Sequence, residues 1–189
     1  MLRFQELAFP AGPLLQAWVC GGRSPGRGVQ HAVARRLGIG SSALTFLERS
    51  LFLPRLQITQ PSVAFVRHGR KVIRWRGSNA EVHAEGMIAL PQGELLDVMN
   101  RPSAEGIYEE IWLSADLAFL VEASPAEAPG EIRLLPSPSA DLRTAFDRAV
   151  TAITARNGVP YRLARHRMLV VMQLTGLMSP STLIQGLSS

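Results

Sequence analysis

Cysteine is nearly missing from this chain: Cys20 stands alone among 189 residues. A single thiol can form neither an internal disulfide nor a thiolate-rich zinc site, and its apolar flank (Trp18-Val19) suits a core position. No apolar stretch approaches the roughly 20 residues a membrane span requires; the longest runs, such as Met168 to Met172, have the size of core segments. The opening MLRFQELAFP sets a glutamate and a proline where an export signal would carry its apolar stretch. Residues 21–28, GGRSPGRG, are glycine-rich but lack the lysine and hydroxyl residue that a phosphate-binding loop needs, so they read as a linker. A cytoplasmic protein without membrane association is expected. Lysine is scarce as well: 19 of the 20 basic residues are arginine, a bias better explained by codon usage than by nucleic-acid recognition.

Hydrophobic residues make up 47 % of the chain, enough for one domain with a sizeable core. The net charge of +5 hides a segregation. Residues 1–80 carry 12 basic and 2 acidic side chains, residues 81–140 carry 2 and 11, and residues 141–189 carry 6 and 2. A basic first third raises the possibility of nucleic-acid binding, but basic and acidic strands paired across a sheet would produce the same pattern.

Strand-like runs separated by turn residues dominate residues 54–113. Ser62 to Arg67 and Lys71 to Arg76 flank His68-Gly69-Arg70, read as a tight hairpin with the glycine at positive φ. Gly77-Ser78-Asn79 and Pro91-Gln92-Gly93 mark further turns, with short strands at Glu81 to His83, Gly86 to Leu90, Leu95 to Met99 and Ile107 to Leu113. This spacing predicts an antiparallel barrel or sandwich, and no βαβ alternation points to a parallel nucleotide-binding sheet. Upstream, residues 1–53 are harder to read; a strand at Leu14 to Val19, a short helix through Ala32 to Leu37 and an apolar piece at Ala43 to Leu53 are expected as peripheral parts of the same domain. Downstream, Ser124 to Gly130 reads as a connector and Ile132 to Leu135 as a last strand.

Two helices follow. Ser139 is the expected N-cap of the first, with Asp141 in its first turn and Leu142, Phe146, Ala149 and Ile153 at helical spacing. Asn157-Gly158 stops it, and Pro160 opens the second, which runs to about Leu177. A short link makes the pair antiparallel. Met168 to Met172 is apolar around the whole circumference, so it must be covered on two sides, either by the barrel and the first helix or by a second subunit.

Two stretches carry a family likeness. PSVAFVRHGRKVIRW (residues 61–75) with EGMIALPQGELLDVMNRP (residues 85–102) and the loop into Gly106-Ile107-Tyr108-Glu109 resembles the N-terminal regulatory domain of AraC-type transcriptional regulators, a cupin-like barrel. DLRTAFDRAVTAI (residues 141–153) with PYRLARHRMLVVMQL (residues 160–174) is similar to the helix pair that follows the barrel there and forms the homodimer interface. The resemblance implies an α+β fold: a cupin-like antiparallel β-barrel over residues 54–135, then a two-helix antiparallel hairpin over 136–178 and a tail at 179–189. It also implies a small-molecule effector, and a dimer interface drawn from Leu163, Met168, Val171, Met172 and Leu174. Such regulators continue for on the order of 100 more residues, as two helix-turn-helix units. Only 11 residues follow Met178, so DNA binding is expected only through a part missing from this chain.

Candidate sites follow from side-chain chemistry. Alternation sets Tyr108, Glu110 and Trp112 on one face of their strand, the mixture of aromatic wall and polar group that ligand pockets use. Phe65 and Trp75 would share the lumen if the 68–70 turn set them on a common face, and Arg74 and Arg76 would then pair with Glu109 or Glu110. His31, His68, His83 and His166 offer no H-x-H pair, so neither a metal nor another cofactor is expected, nor any catalytic residue. Two rivals stand beside the effector-binding sensor: a metal-dependent cupin enzyme (isomerase or dioxygenase), and a nucleic-acid binder using the basic first third.

Overall fold

The computed structural model describes residues 16–18, 30–123, 130–155 and 158–178. Cys20, the glycine-rich 21–28, most of the 124–130 connector, Asn157 and the 179–189 tail lie outside the described residues. The elements, in chain order, are β1 (Gln16–Trp18), β2 (Gln30–Arg36), β3 (Gly40–Leu47), β4 (Leu51–Gln57), β5 (Ser62–His68), β6 (Arg70–Trp75) and β7 (Ser78–His83). They continue with β8 (Met87–Leu90), β9 (Leu95–Arg101), β10 (Tyr108–Ala115), α1 (Leu117–Ala123), β11 (Arg133–Leu135), α2 (Ala140–Thr154) and α3 (Tyr161–Leu174).

All strand pairs are antiparallel and form two sheets. The larger has the order β1-β2-β3-β10-β5-β8-β11, the smaller β4-β9-β6-β7. From β3 onward the chain passes repeatedly from one sheet to the other, the winding of a cupin-like double-sheet barrel. With the two C-terminal helices this is the α+β architecture expected from the sequence.

Burial patterns show why each strand sits where it does. β5 and β8 are buried along nearly their whole length, because the large sheet is covered on both faces. Its inner face meets the small sheet in a core of Leu47, Ala64, Val66, Ile73, Ile88, Val98 and Tyr108 among others. Its outer face carries Val63, Phe65, Ile111, Leu113 and Ala115, which pack with Phe146, Ala149, Met168, Val171 and Met172 of the helices. Odd and even positions of β5 and β10 therefore feed two separate cores, one on each side of the same sheet. β9 of the small sheet alternates instead, buried at Leu96, Val98 and Asn100 and more open between them.

The structure corrects several expectations. Residues 30–36 form a strand, not a helix: their partners in β3 supply a full ladder from Gln30↔Phe46 to Arg36↔Gly40, and long-range pairing overrides local helix propensity. β5 and β6 are not a hairpin. Gly69 does take positive φ (81°), but it turns the chain from the large sheet into the small one. There an added Cβ would collide with the Arg101 carbonyl and touch the Tyr108 ring. The real two-residue hairpin joins β6 and β7 through Arg76-Gly77, both at positive φ, with Trp75 opposite Ser78. The Pro91–Gly93 bend likewise moves the chain between sheets, from β8 to β9. Helix α1 has no counterpart in the sequence reading.

The helical hairpin forms as anticipated. Ser139 Oγ accepts a hydrogen bond from the Leu142 N–H at 3.2 Å, and Leu142, Phe146, Ala149 and Ile153 are all buried. Arg167 of α3 reaches the Arg148 carbonyl of α2, a pairing about the short 155–160 link that only an antiparallel arrangement allows. Arg36 of β2 donates to the Ala152 and Val159 carbonyls at 2.9 and 2.7 Å. It thereby satisfies one carbonyl in the last turn of α2 and one just before α3, and ties the hairpin to the sheet.

Candidate functional site: a cleft between the two sheets

Between the sheets, beside the inner core, lies a cavity of about 270 Å³. One wall is the large sheet, with His31 (β2), Ala43 and Thr45 (β3), Ser62 (β5), and Glu110, Trp112 and Ser114 (β10). The other is the small sheet, with Leu51, Leu53 and Leu56 (β4), Lys71 (β6) and Asn100 (β9); Ile58 to Gln60 close one side. Aliphatic side chains and one indole thus surround a compact polar group.

That polar group bridges the sheets. Lys71 and Asn100 are cross-strand partners in the small sheet, and Lys71 Nζ donates to Asn100 Oδ1 at 3.0 Å. The same ammonium lies 3.0 Å from Glu110 Oε1 in the opposite sheet, with both side chains 1 % exposed. It also sits 5.0 Å from the centroid of the Trp112 ring, a cation–π contact. Lys71 is the only lysine in the chain. Its slender ammonium serves as a point charge where a planar guanidinium would need more room.

The cluster is not internally satisfied. Glu110 Oε1 is paired with the Lys71 ammonium and the Tyr108 hydroxyl lies against the same carboxylate, yet neither carboxylate oxygen receives a well-aligned hydrogen bond. Burial, then the Glu110 charge, pushes the Tyr108 pKa far above its ordinary value, so the phenol stays protonated. A buried carboxylate with open acceptor positions and an ammonium with a third N–H can both engage a ligand carrying a donor and an acceptor.

His31 pairs with Thr45 across β2 and β3, its Nδ1 3.1 Å from Thr45 Oγ1. Desolvation lowers its pKa, opposed by the Leu44 backbone and Glu110. Because the fold favours neutral imidazole, the unfolded chain binds more protons, and stability falls as pH drops from about 6.5 toward the depressed folded value. A His31→Gln variant should lose less stability between about pH 7 and 5 than the unaltered protein in parallel denaturant titrations. Equal slopes would show that His31 is not the group responsible.

Of the sequence-predicted ligand residues, the structure brings Glu110 and Trp112 together in the cleft. Tyr108 lies on the same face of β10, but inside the core below it. Phe65 is on the opposite face of the large sheet, edge-on to Phe146 with ring centroids 5.8 Å apart; the 68–70 segment changes sheets, so no common lumen face exists. Trp75 packs at the edge of the inner core and lines a different groove. Arg76 pairs with Glu94, not with Glu109 or Glu110. Lys71, Asn100 and His31 were missed. The alternation of Lys71, Ile73 and Trp75, and of Leu96, Val98 and Asn100, could have placed the first two inward.

The charge segregation resolves into ion pairs. Arg35–Asp116, Arg67–Glu109, Arg70–Glu81, Lys71–Glu110 and Arg76–Glu94 each join a base from the first third to an acid from the middle. The candidate interface residues divide. Met168, Val171 and Met172 are fully buried against the chain's own sheet and first helix, so their all-round apolar character is explained within one subunit. Leu163 and Leu174 are 40 % and 50 % exposed.

Among the described residues, no three His, Cys, Asp or Glu side chains come together as a metal-binding group, and no helix is long and apolar enough to cross a membrane. Fold and cleft together define a cupin-like domain with a cavity between its two sheets. No family model and no curated protein matches the sequence. Solved cupins do resemble the structure at low identity. One is a cupin superfamily protein from Desulfitobacterium hafniense (8 % identity, TM-score 0.41, 50 % of this chain and 82 % of that one). Another is an RmlC-like cupin with a double-stranded β-helix fold from Methanocaldococcus jannaschii (10 % identity, TM-score 0.42, 54 % and 93 %). A third is a cupin 2 conserved barrel domain protein from Salinispora arenicola (12 % identity, TM-score 0.38, 65 % and 87 %).

Proposed function

We propose that this protein is a non-enzymatic, cytoplasmic sensor: the effector-binding half of an AraC-type transcriptional regulator, with DNA contacts left to a part not in this chain. The observation that carries the reading is the inter-sheet cleft with its under-satisfied Lys71–Glu110–Asn100 floor. A cavity near the small end of the usual range for organic ligands, about 300–1,000 Å³, suits a compact effector bearing a hydrogen-bond donor for Glu110 and an acceptor for Lys71. Support for the regulatory setting comes from the sequence likeness and from a helical hairpin docked on the outer face of the sheet that holds Glu110 and Trp112. A ligand that engaged the Glu110–Lys71 pair would bear on β10, whose other face packs against that hairpin, so occupancy biases a two-state contact with a further domain.

The single lysine makes a direct test possible. Selective ¹⁵N-lysine labelling yields one backbone amide resonance, from the centre of the cleft. A panel of small hydroxylated, amino and carboxylic compounds should contain members that shift this resonance and raise the melting temperature, and Glu110→Gln and Trp112→Ala should each abolish both effects. A panel that moves neither signal sinks the sensor reading, and stoichiometric metal in the purified protein would favour a metal-dependent cupin enzyme. For the homodimer, Leu163, Val170 and Leu174 recur along one stripe of α3, whose two leucines are 40 % and 50 % exposed. Sedimentation should show a dimer that Leu174→Glu converts to monomer; a monomeric parent protein would remove dimerisation from the proposal.

A further inference from the structure

The inner face of the large sheet is ordered in rows that run across its strands. His31, Thr45 and Glu110 are neighbours in one row, on β2, β3 and β10. Two residues further along each strand, the next row reads Val33, Ala43, Trp112 and Ala64. The row after that is polar again, with Arg35, Ser41, Ser114 and Ser62. Members of all three rows line the cleft, which is therefore polar, apolar and polar along its length.

The two polar ends ask for different groups. At the Glu110 end the carboxylate has open acceptor positions. Lys71 there keeps a third N–H beyond those facing Glu110 and Asn100. A hydroxyl, donor and acceptor in one, meets both needs. At the far end the Ser62 hydroxyl donates its single proton to the Gln60 carbonyl at 2.8 Å. In the 2.8 Å contact between the Ser62 and Ser114 hydroxyls, Ser114 is then the donor. Ser114 Oγ is left as an acceptor only. Each end is also neutral in sum: Glu110 is balanced by Lys71, and Asp116, bonded to Gln60, by Arg35. A ligand with net charge would place an unpaired ion between largely apolar walls, which is costly.

The middle row sets the shape. Trp112 stands between two alanines, Ala43 and Ala64. Ala64 is sealed in the inner core, whereas Ala43 faces the cleft. Trp112 is only partly buried, while its outer-face neighbours Ile111 and Leu113 are buried. Leu51, Leu53 and Leu56, across the cleft, are partly buried as well. Facing sheets lie about 10 Å apart, so an alanine opposed by leucine leaves a gap of one ring's thickness beside the indole. Glu110 and Ser114 are about 13 Å apart along β10. One ring with a polar substituent at each end bridges that span through its hydrogen bonds.

We propose that the cleft takes an uncharged, single-ring compound with a hydroxyl at each end, and that Ala43 makes room for the ring. This inference rests on reading the cleft as a ligand site and narrows what that site accepts. The ring lies over Ala43 against Trp112. One hydroxyl engages Glu110 and Lys71, and the other donates to Ser114 Oγ.

The test is calorimetric titration of the intact chain with tyrosol, 4-(2-hydroxyethyl)phenol, alongside the Lys71 amide resonance. The comparisons are 4-ethylphenol and 2-phenylethanol, which each lack one hydroxyl, and tyramine and 4-hydroxyphenylacetate, which are close in shape but charged. Tyrosol should bind with a dissociation constant on the order of 0.1 mM and shift the resonance. Each single-hydroxyl compound should bind about tenfold more weakly, and the charged pair more weakly than tyrosol. Ser114→Ala should erase the advantage of tyrosol over 4-ethylphenol, whose hydroxyl sits at Glu110, and leave the affinity for 4-ethylphenol unchanged. A role for Ser114 in folding alone would not separate the two compounds. Ala43→Leu should remove binding of the whole series and leave the melting temperature nearly unchanged. A charged compound that binds as tightly as tyrosol, or full affinity in Ala43→Leu, overturns the inference, while a moving Lys71 resonance still keeps the cleft as a ligand site. A silent tyrosol titration beside a response to some other class of compound overturns it in the same way. Silence from every compound removes the cleft reading as well.

Discussion

Lys71→Met is expected to destabilise the fold by about 3–5 kcal/mol, the usual consequence of removing one partner from a buried ion pair. The mechanism is desolvation of what remains. Lys71 and Glu110 are each 1 % exposed, so the substitution leaves a carboxylate between two sheets with no counter-ion, and its two oxygens already lack aligned donors. The double variant Lys71→Met with Glu110→Met should recover most of the loss and can exceed the parent protein, because well-packed apolar side chains of similar volume replace buried ion pairs at little or no cost. Denaturant titration of the two single variants and the double variant forms a thermodynamic cycle that isolates the coupling. A large positive coupling with a stable double variant means the pair contributes little net stability. Its persistence is then accounted for by binding, which the double variant should lack. Additive losses would instead assign the pair to the architecture and weaken the case for the cleft.

How much of this was legible in the sequence depends on how local the signal was. The helical hairpin was readable almost residue by residue, because Ser139, Asp141 and the spacing of Leu142, Phe146, Ala149 and Ile153 all act within one helix. The faces of β10 were readable for the same reason: alternation alone separates Glu110 and Trp112 from Ile111 and Leu113. Strand partnership was not. His68-Gly69-Arg70 has the composition of a hairpin turn, and its glycine takes the positive φ that such a turn needs. Whether the chain then returns beside β5 or leaves for the other sheet is decided by β10, β8 and β9, which come later in sequence and claim the neighbouring positions. The misplacement of Phe65 and Trp75 follows from that one ambiguity. Lys71 escaped notice because a lysine within an arginine-rich run reads as a solvated charge. Only its partner in the opposite sheet, 39 positions away, reveals it as buried. Met168, Val171 and Met172 illustrate the opposite limit: a helix apolar on all sides states that it is covered twice, and the sequence could not say that both covers belong to the same chain.

Phe146→Ala tests that last point and should cost about 3–5 kcal/mol. Phe146 is completely buried at the junction of α2 with the outer face of the large sheet, where its ring meets Phe65 at 74°. Truncation removes the transfer free energy of the ring, opens a cavity that a rigid sheet cannot collapse around, and forfeits an aromatic contact. The loss should appear as reduced stability of each subunit, read from the denaturation midpoint, with Gly69→Ala as a check that the sheet corner responds independently. Association is a separate quantity. Leu174→Glu acts on the open stripe of α3 and should change sedimentation while leaving the near-ultraviolet signal of the packed core intact. If Phe146→Ala altered association and scarcely touched stability, the hairpin would be held by a partner and not by its own sheet, and the separation of an inward clamping face from an outward mating face would fail.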